Sequence, residues 1–211
     1  MPEEHEKRKY LSADDDLETW SSVLKDATQI LDDEVVPYLA IGTIATTSMG
    51  YDEACSDIDL LVARDDAERA LKALGARGYE TTRSEPDWLY KAVKDRVLVD
   101  LIFRVGDGNE IEADDEMFRR ARRREIKGQS VCVVAPEDFM VMQAISNKVE
   151  AQDYWYKGLK AASCEGIDWD YVAHRAKASP TRVLSLLIYA RSDGVKVPKA
   201  VLDELYASVE G

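Results

Sequence analysis

Along the first third of the chain the apolar positions change their period twice. Leu17, Trp20, Leu24, Ala27 and Leu31 recur at helical spacing, which predicts an amphipathic helix over residues 14–33. Ser12 ahead of Asp14, Asp15 and Asp16 supplies a capping hydroxyl and first-turn acids, and Pro37 ends any continuation. Residues 38–42, "YLAIG", then read as a short apolar strand. The small residues Ala45, Thr46, Thr47 and Ser48 after it suit the first turns of a helix. "DIDLLVA" reads as the next strand, and "DDAERALKALGARG" as a helix with acids first and Gly75 and Gly78 near its end. Residues 79–82, 88–93 and 97–103 predict three further strands. Gly106 and Gly108 turn the chain, a charged helix follows near residues 114–126, and residues 130–135 form a last strand.

From Pro136 onward the signals are helical. Pro136 and Pro180 sit where a first helical residue is favoured, the latter behind Ser179 as cap. Asp168 can cap "WDYVAHRAKA", Gly194 stops the helix containing "VLSLLIYAR", and Pro198 opens a short last one. Strand-rich first and helical second predicts an α+β chain: a solvated tail over 1–13, an α/β domain over 14–135 and a helical domain over 136–211, packed with a cleft between them. There is no internal repeat and no low-complexity linker.

Composition narrows the class. With 211 residues, 45% hydrophobic and 33% charged, the chain can bury a core. No apolar run approaches the roughly 20 residues of a membrane span. "MPEEHEKRKY" lacks the apolar segment of a secretory signal, so a cytoplasmic protein is expected. Cys55, Cys132 and Cys164 are widely spaced and form no CxxC, which suits incidental thiols rather than zinc or a disulfide. A formal charge of −13 excludes a protein that coats DNA through its overall field, but it leaves room for a local basic patch.

Two acids open the strand "DIDLLVA". Side chains alternate along a strand, so Asp57 and Asp59 project together while Ile58 faces the core. Like charges side by side repel unless a cation sits between them, and hard cations take oxygen ligands. Asp100 interrupts the apolar run "RVLVDLIFRV", where an unpaired carboxylate is costly to bury. If the two strands are neighbours, three carboxylates converge. An ordinary strand start explains the first pair equally well, and Arg96 or Arg104 could neutralise Asp100. Upstream, Gly42 permits close backbone approach and Thr43 adds a hydroxyl, which suits a phosphate cradle or simply a tight turn.

The succession Gly42-Thr43, Asp57-x-Asp59 and Asp100 resembles the opening motif of the DNA polymerase β-like nucleotidyltransferase superfamily. "REIKGQSVCVVAPEDFMVMQAISNKVEAQDYW" is similar to the passage after the catalytic strands in its small prokaryotic members, among them aminoglycoside nucleotidyltransferases and abortive-infection or toxin-type relatives. The resemblance covers roughly residues 36–160. It implies a mixed sheet flanked by helices and transfer of a nucleoside monophosphate from an NTP to an acceptor hydroxyl, releasing pyrophosphate. It also implies Mg²⁺ (or Mn²⁺) held by Asp57, Asp59 and Asp100, with Asp100 taking the acceptor's proton. Gly42 and Thr43, and Lys148 as the cation, would bind the phosphates. The acceptor stays open between a small molecule, RNA such as tRNA, and protein.

Thr43, Glu53, Gln143 and Gln152 depart from the family pattern, all of them in the parts that grip the triphosphate. These departures suit the alternative, a non-catalytic protein of the same fold such as a toxin–antitoxin component; retention of all three acids opposes it. Arg119, Arg120, Arg122, Arg123 and Arg124, behind Asp114, Asp115 and Glu116, read either as a self-paired helix or as a contact for an RNA acceptor. His174 reads as a helix-surface residue, and Tyr154, Trp155 and Tyr156 as core.

Overall fold

The computed structural model describes residues 10–51, 53–106, 111–146 and 153–210. Lys148 and Gln152 lie outside them. The chain divides into two compact units, residues 1–104 with 112–134, and residues 105–111 with 135–211.

The first unit is built on one seven-stranded mixed sheet. Helix α1 (Leu17–Asp33) leads to β1 (Tyr38–Ala40), α2 (Gly42–Ser48), β2 (Ile58–Val62) and α3 (Arg64–Ala76). β3 (Glu80–Glu85), β4 (Leu89–Lys94) and β5 (Val97–Ile102) follow, then α4 (Asp115–Arg120), β6 (Arg122–Ile126) and β7 (Gln129–Val133). In space the strands run β3-β4-β5-β2-β1-β7-β6. The central pair, β2 and β5, is parallel, and β1 runs antiparallel to β2. Trp20, Leu24, Ala27 and Leu31 of the periodic face of α1 are fully buried with Leu39, Leu60 and Leu61, whereas Leu17, at the start of that face, is exposed.

Two local expectations change. The cap of α1 is Asp16, which accepts the Thr19 N–H at 3.0 Å, not Ser12. Ser12 instead donates through its N–H and hydroxyl to Asp15 and closes a separate turn. The charged helix near 114–126 is broken: it stops at Arg120, and Arg122–Ile126 is a strand paired antiparallel with Gln129–Val133. Lys127 (φ 48°) and Gly128 (φ 82°) make the two-residue left-handed turn that a tight hairpin requires. Burial of Ile126, Val131 and Val133 favours the hairpin over continued helix.

The second unit is helical: α5 (Pro136–Ser146), α6 (Asp153–Ala162), α7 (Trp169–Ala176), α8 (Pro180–Ser192) and α9 (Lys199–Glu210). Helix α5 is buried from Glu137 to Ile145. Its first-turn acids face inward because they have partners. Glu137 accepts the Asp168 N–H at 3.0 Å, and Asp138 accepts the Tyr171 hydroxyl at 2.9 Å. Arg175 Nε forms an ion pair with Asp138 at 2.9 Å. The Pro-Glu-Asp stretch thus ties the start of α5 to α7. Asp168 caps α7 through the Tyr171 N–H, as its residue type implies, whereas Ser179 stands at the N-cap position before Pro180 without a side-chain capping bond. His174 is exposed on α7. Tyr154 and Tyr156 are exposed as well, so the expected aromatic core there is not formed by them; Trp155 stacks edge-on against Tyr189.

Candidate metal centre

Strand pairing decides which carboxylates meet. β2 and β5 lie side by side in parallel, in a register that sets Asp59 opposite Asp100. Asp57 stands immediately before β2, on the same side of the alternation as Asp59. One carboxylate oxygen from each of Asp57, Asp59 and Asp100 lies within 4.8 Å of the others.

Asp100 is buried, and its Oδ1 has no hydrogen-bond partner. Burial pushes its carboxyl up to about 7; Lys91 on the neighbouring strand pulls it down and Asp57 pushes it further up. Asp57 and Asp59 are half-buried, and Asp57 accepts the Ser56 hydroxyl at 2.7 Å. An orphaned buried carboxylate oxygen beside two further carboxylates is an unfavourable arrangement by itself. Hard oxygen donors at this spacing suit a divalent cation such as Mg²⁺, so the residues present fit the group.

Gly42 is fixed by this cluster. Its φ is +60°, and a Cβ placed on it would sit 2.0 Å from Asp59 Oδ2. Any side chain there would drive the carboxylate out of its place. The Ile41 N–H donates to the Asp59 carbonyl at 3.0 Å, which locks β2 to the start of α2. Thr43 Oγ1 is buried without a hydrogen-bond partner beyond its approach to the Cys55 thiol. Glu53 accepts the Thr46 hydroxyl at 2.7 Å, so this acid is tied to α2.

Other residues singled out in the sequence stand apart from the triad in role. Lys148 lies outside the described residues. Gln143 is buried on α5 with its Oε1 unpartnered. The arginine run divides between two elements: Arg119 and Arg120 end α4 and pair with Glu116, while Arg122, Arg123 and Arg124 are exposed on the edge strand β6, with Arg123 3.7 Å from Asp32. Lys91, opposite Asp100 in register, was not singled out by residue pattern. Its signal was present all the same, as a lone cation between Leu89 and Val93 in an alternating strand.

A family of uncharacterised nucleotidyltransferases matches residues 53–193, well over half of the chain. The chain belongs to this family. Nucleotidyl transfer is accordingly its chemistry, and this nucleotidyltransferase is an enzyme. Among solved structures, an antigenic nucleotidyltransferase-like protein from Paracoccidioides brasiliensis is similar in fold at a TM-score of 0.52 and 15% identity, over 92% of this chain and 94% of its own. The lincosamide antibiotic adenylyltransferase LnuA, with lincomycin bound, overlays at 0.48 and 10% identity, over 66% of this chain and 94% of its own. ANT(2″)-Ia in complex with adenylyl-2″-tobramycin overlays at 0.47 and 16% identity, over 83% and 98%. No curated protein matches the sequence. Among the described residues of the nucleotidyltransferase, no helix is long and apolar enough to cross a membrane.

Proposed function

We propose that the nucleotidyltransferase moves a nucleoside monophosphate from an NTP to an acceptor hydroxyl, releases pyrophosphate and works with Mg²⁺ (or Mn²⁺) held by Asp57, Asp59 and Asp100. The observation that carries this reading is the convergence of the three carboxylates around the unpartnered buried oxygen of Asp100. Gly42 and Thr43 are the residues proposed to receive the triphosphate end, since Gly42 alone leaves the backbone bare beside Asp59.

When bound, the cation supplies charge neutralisation for the phosphates. The chain's own groups do the rest. Asp57 and Asp59 orient that charge at the Gly42 end. Asp100, the buried member of the triad, accepts the acceptor's proton in this reading. The acceptor oxygen bonds to the α-phosphorus, the bond from that phosphorus to the β-phosphate oxygen breaks, and the electron pair leaves with pyrophosphate. The three free cysteines are in keeping with a reducing, cytoplasmic setting.

The test is incubation with α-labelled NTPs, Mg²⁺ or Mn²⁺, and a pool of RNA and small hydroxyl compounds. Labelled product is expected, with a loss of roughly 10²–10³-fold in Asp59→Asn. Full activity in Asp59→Asn would remove the site; no product and no metal–nucleotide binding would remove the reaction.

A further inference from the structure

The sheet lays out a direction across the triad. Thr82 of β3 lies opposite Lys91 of β4, Lys91 opposite Asp100 of β5, and Asp100 opposite Asp59 of β2. Residues paired across neighbouring strands point to the same face, so these four make one polar row. Gly42 closes the row at its other end, against Asp59 Oδ2. Lys91 is half-buried and flanked along β4 by the partly exposed Tyr90 and the buried Ala92. It acts on Asp100 electrostatically, yet among the described residues it forms no salt bridge or hydrogen bond. A half-buried lysine left unpaired beside a reaction centre has its charge free for a ligand.

In-line displacement at phosphorus puts the attacking and leaving oxygens on opposite sides. With the leaving phosphates at the Gly42 end, the attacking oxygen comes from the Lys91 end. We infer that Lys91 is the acceptor-side specificity residue, and that the acceptor is a hydroxyl compound carrying a phosphate group, which the ammonium holds. This rests on the reading of the triad given above. The acceptor hydroxyl forms its bond to the α-phosphorus and gives its proton to Asp100, and pyrophosphate leaves with the electron pair of the broken bond. Lys91 stays charged throughout and fixes the phosphate of the acceptor. The exposed Thr82 hydroxyl, next in the row, extends the same donor surface. A cationic acceptor meets like charge at this position and is disfavoured. A free sugar phosphate and the terminal nucleotide of an RNA present the same chemistry.

The experiment is titration calorimetry on the full chain with Mg²⁺ and a non-hydrolysable ATP analogue, using ribose 5-phosphate, ribose and a short oligoribonucleotide as probes. Ribose 5-phosphate is expected to bind about tenfold or more tightly than ribose, as a charge-assisted contact predicts. Lys91→Gln should erase that preference while leaving affinity for the ATP analogue within about twofold, and Lys91→Arg should keep most of it. Thermal melting verifies that each variant is folded. If the oligoribonucleotide binds more tightly than ribose 5-phosphate and loses the same factor in Lys91→Gln, the source is an RNA end; the reverse order assigns a small molecule. Equal binding of ribose and ribose 5-phosphate, binding of neither, or a preference that survives Lys91→Gln would overturn the inference. Failure of the ATP analogue to bind would count against the triad instead, and the same comparison on nucleotide-free protein still decides Lys91.

Discussion

Gly42 and Asp59 are coupled through a missing atom. A methyl group on Gly42 would overlap Asp59 Oδ2, and alanine also resists the φ of +60°. Gly50 has a φ of +92° with nothing within 4 Å of a built Cβ, so it separates backbone strain from displacement of the carboxylate. Gly50→Ala is expected to cost about 1 kcal/mol of stability and leave Mg²⁺ binding intact. Gly42→Ala should cost at least as much and weaken Mg²⁺ binding as well, read by calorimetry beside thermal melting. Equal metal affinity in the two variants would separate Gly42 from the site. At this scale the sequence was informative about acids and glycine, because an acid in an apolar run and a glycine after a strand are local anomalies. Its signal for Lys91 was weak, since a lysine in a half-exposed strand is ordinary until its cross-strand neighbour is known.

Two elements carry the site's geometry, the β2–β5 pairing and the β4–β5 hairpin. The hairpin turns through Asp95 (φ 49°) and Arg96 (φ 65°), both in the left-handed region that a two-residue turn demands and that L-residues resist. Arg96→Gly is therefore expected to stabilise the protein by about 1 kcal/mol in urea unfolding, with no change of register. The Leu11 N–H bonds to the Arg96 carbonyl, a contact glycine preserves. In the helical unit, Asp138 is fully buried and Arg175 nearly so. Loss of one partner leaves a buried charge uncompensated, so Asp138→Ala should cost about 3–5 kcal/mol in the same measurement. Element types were readable wherever the apolar period was sustained, as in α1, β2 and β5. The boundary that failed, the helix drawn through Arg122–Ile126, lay where four consecutive charged, exposed residues carry no apolar period and only the Lys127-Gly128 turn marked the hairpin.

For the whole molecule, charge sets the background. At a formal −13, any added cation screens self-repulsion, so metal effects are measured against K⁺ at equal ionic strength. Asp100 has a folded-state pKa raised from 3.8 to about 7 in the metal-free protein. Between those values the folded state binds a proton that the unfolded state does not, so its contribution to stability falls as pH rises through that window. A bound cation favours the ionised form. The gain in melting temperature from Mg²⁺ is therefore expected to be larger at pH 8 than at pH 6, with the difference lost in Asp100→Asn. A gain independent of pH would assign the Mg²⁺ effect to groups other than Asp100. The same triad also divides by distance along the chain. Lys91 and Asp100 belong to one hairpin and meet as soon as it zips, whereas Asp57 and Asp59 arrive from the far side of α3 and join only when β2 pairs with β5. A chain with the hairpin formed and β2 undocked has its lysine and third aspartate in place and no metal site. Metal binding at the proposed site would thus report on long-range assembly of the sheet, and a folding experiment that follows it is expected to see the docking of β2 rather than the zipping of the hairpin.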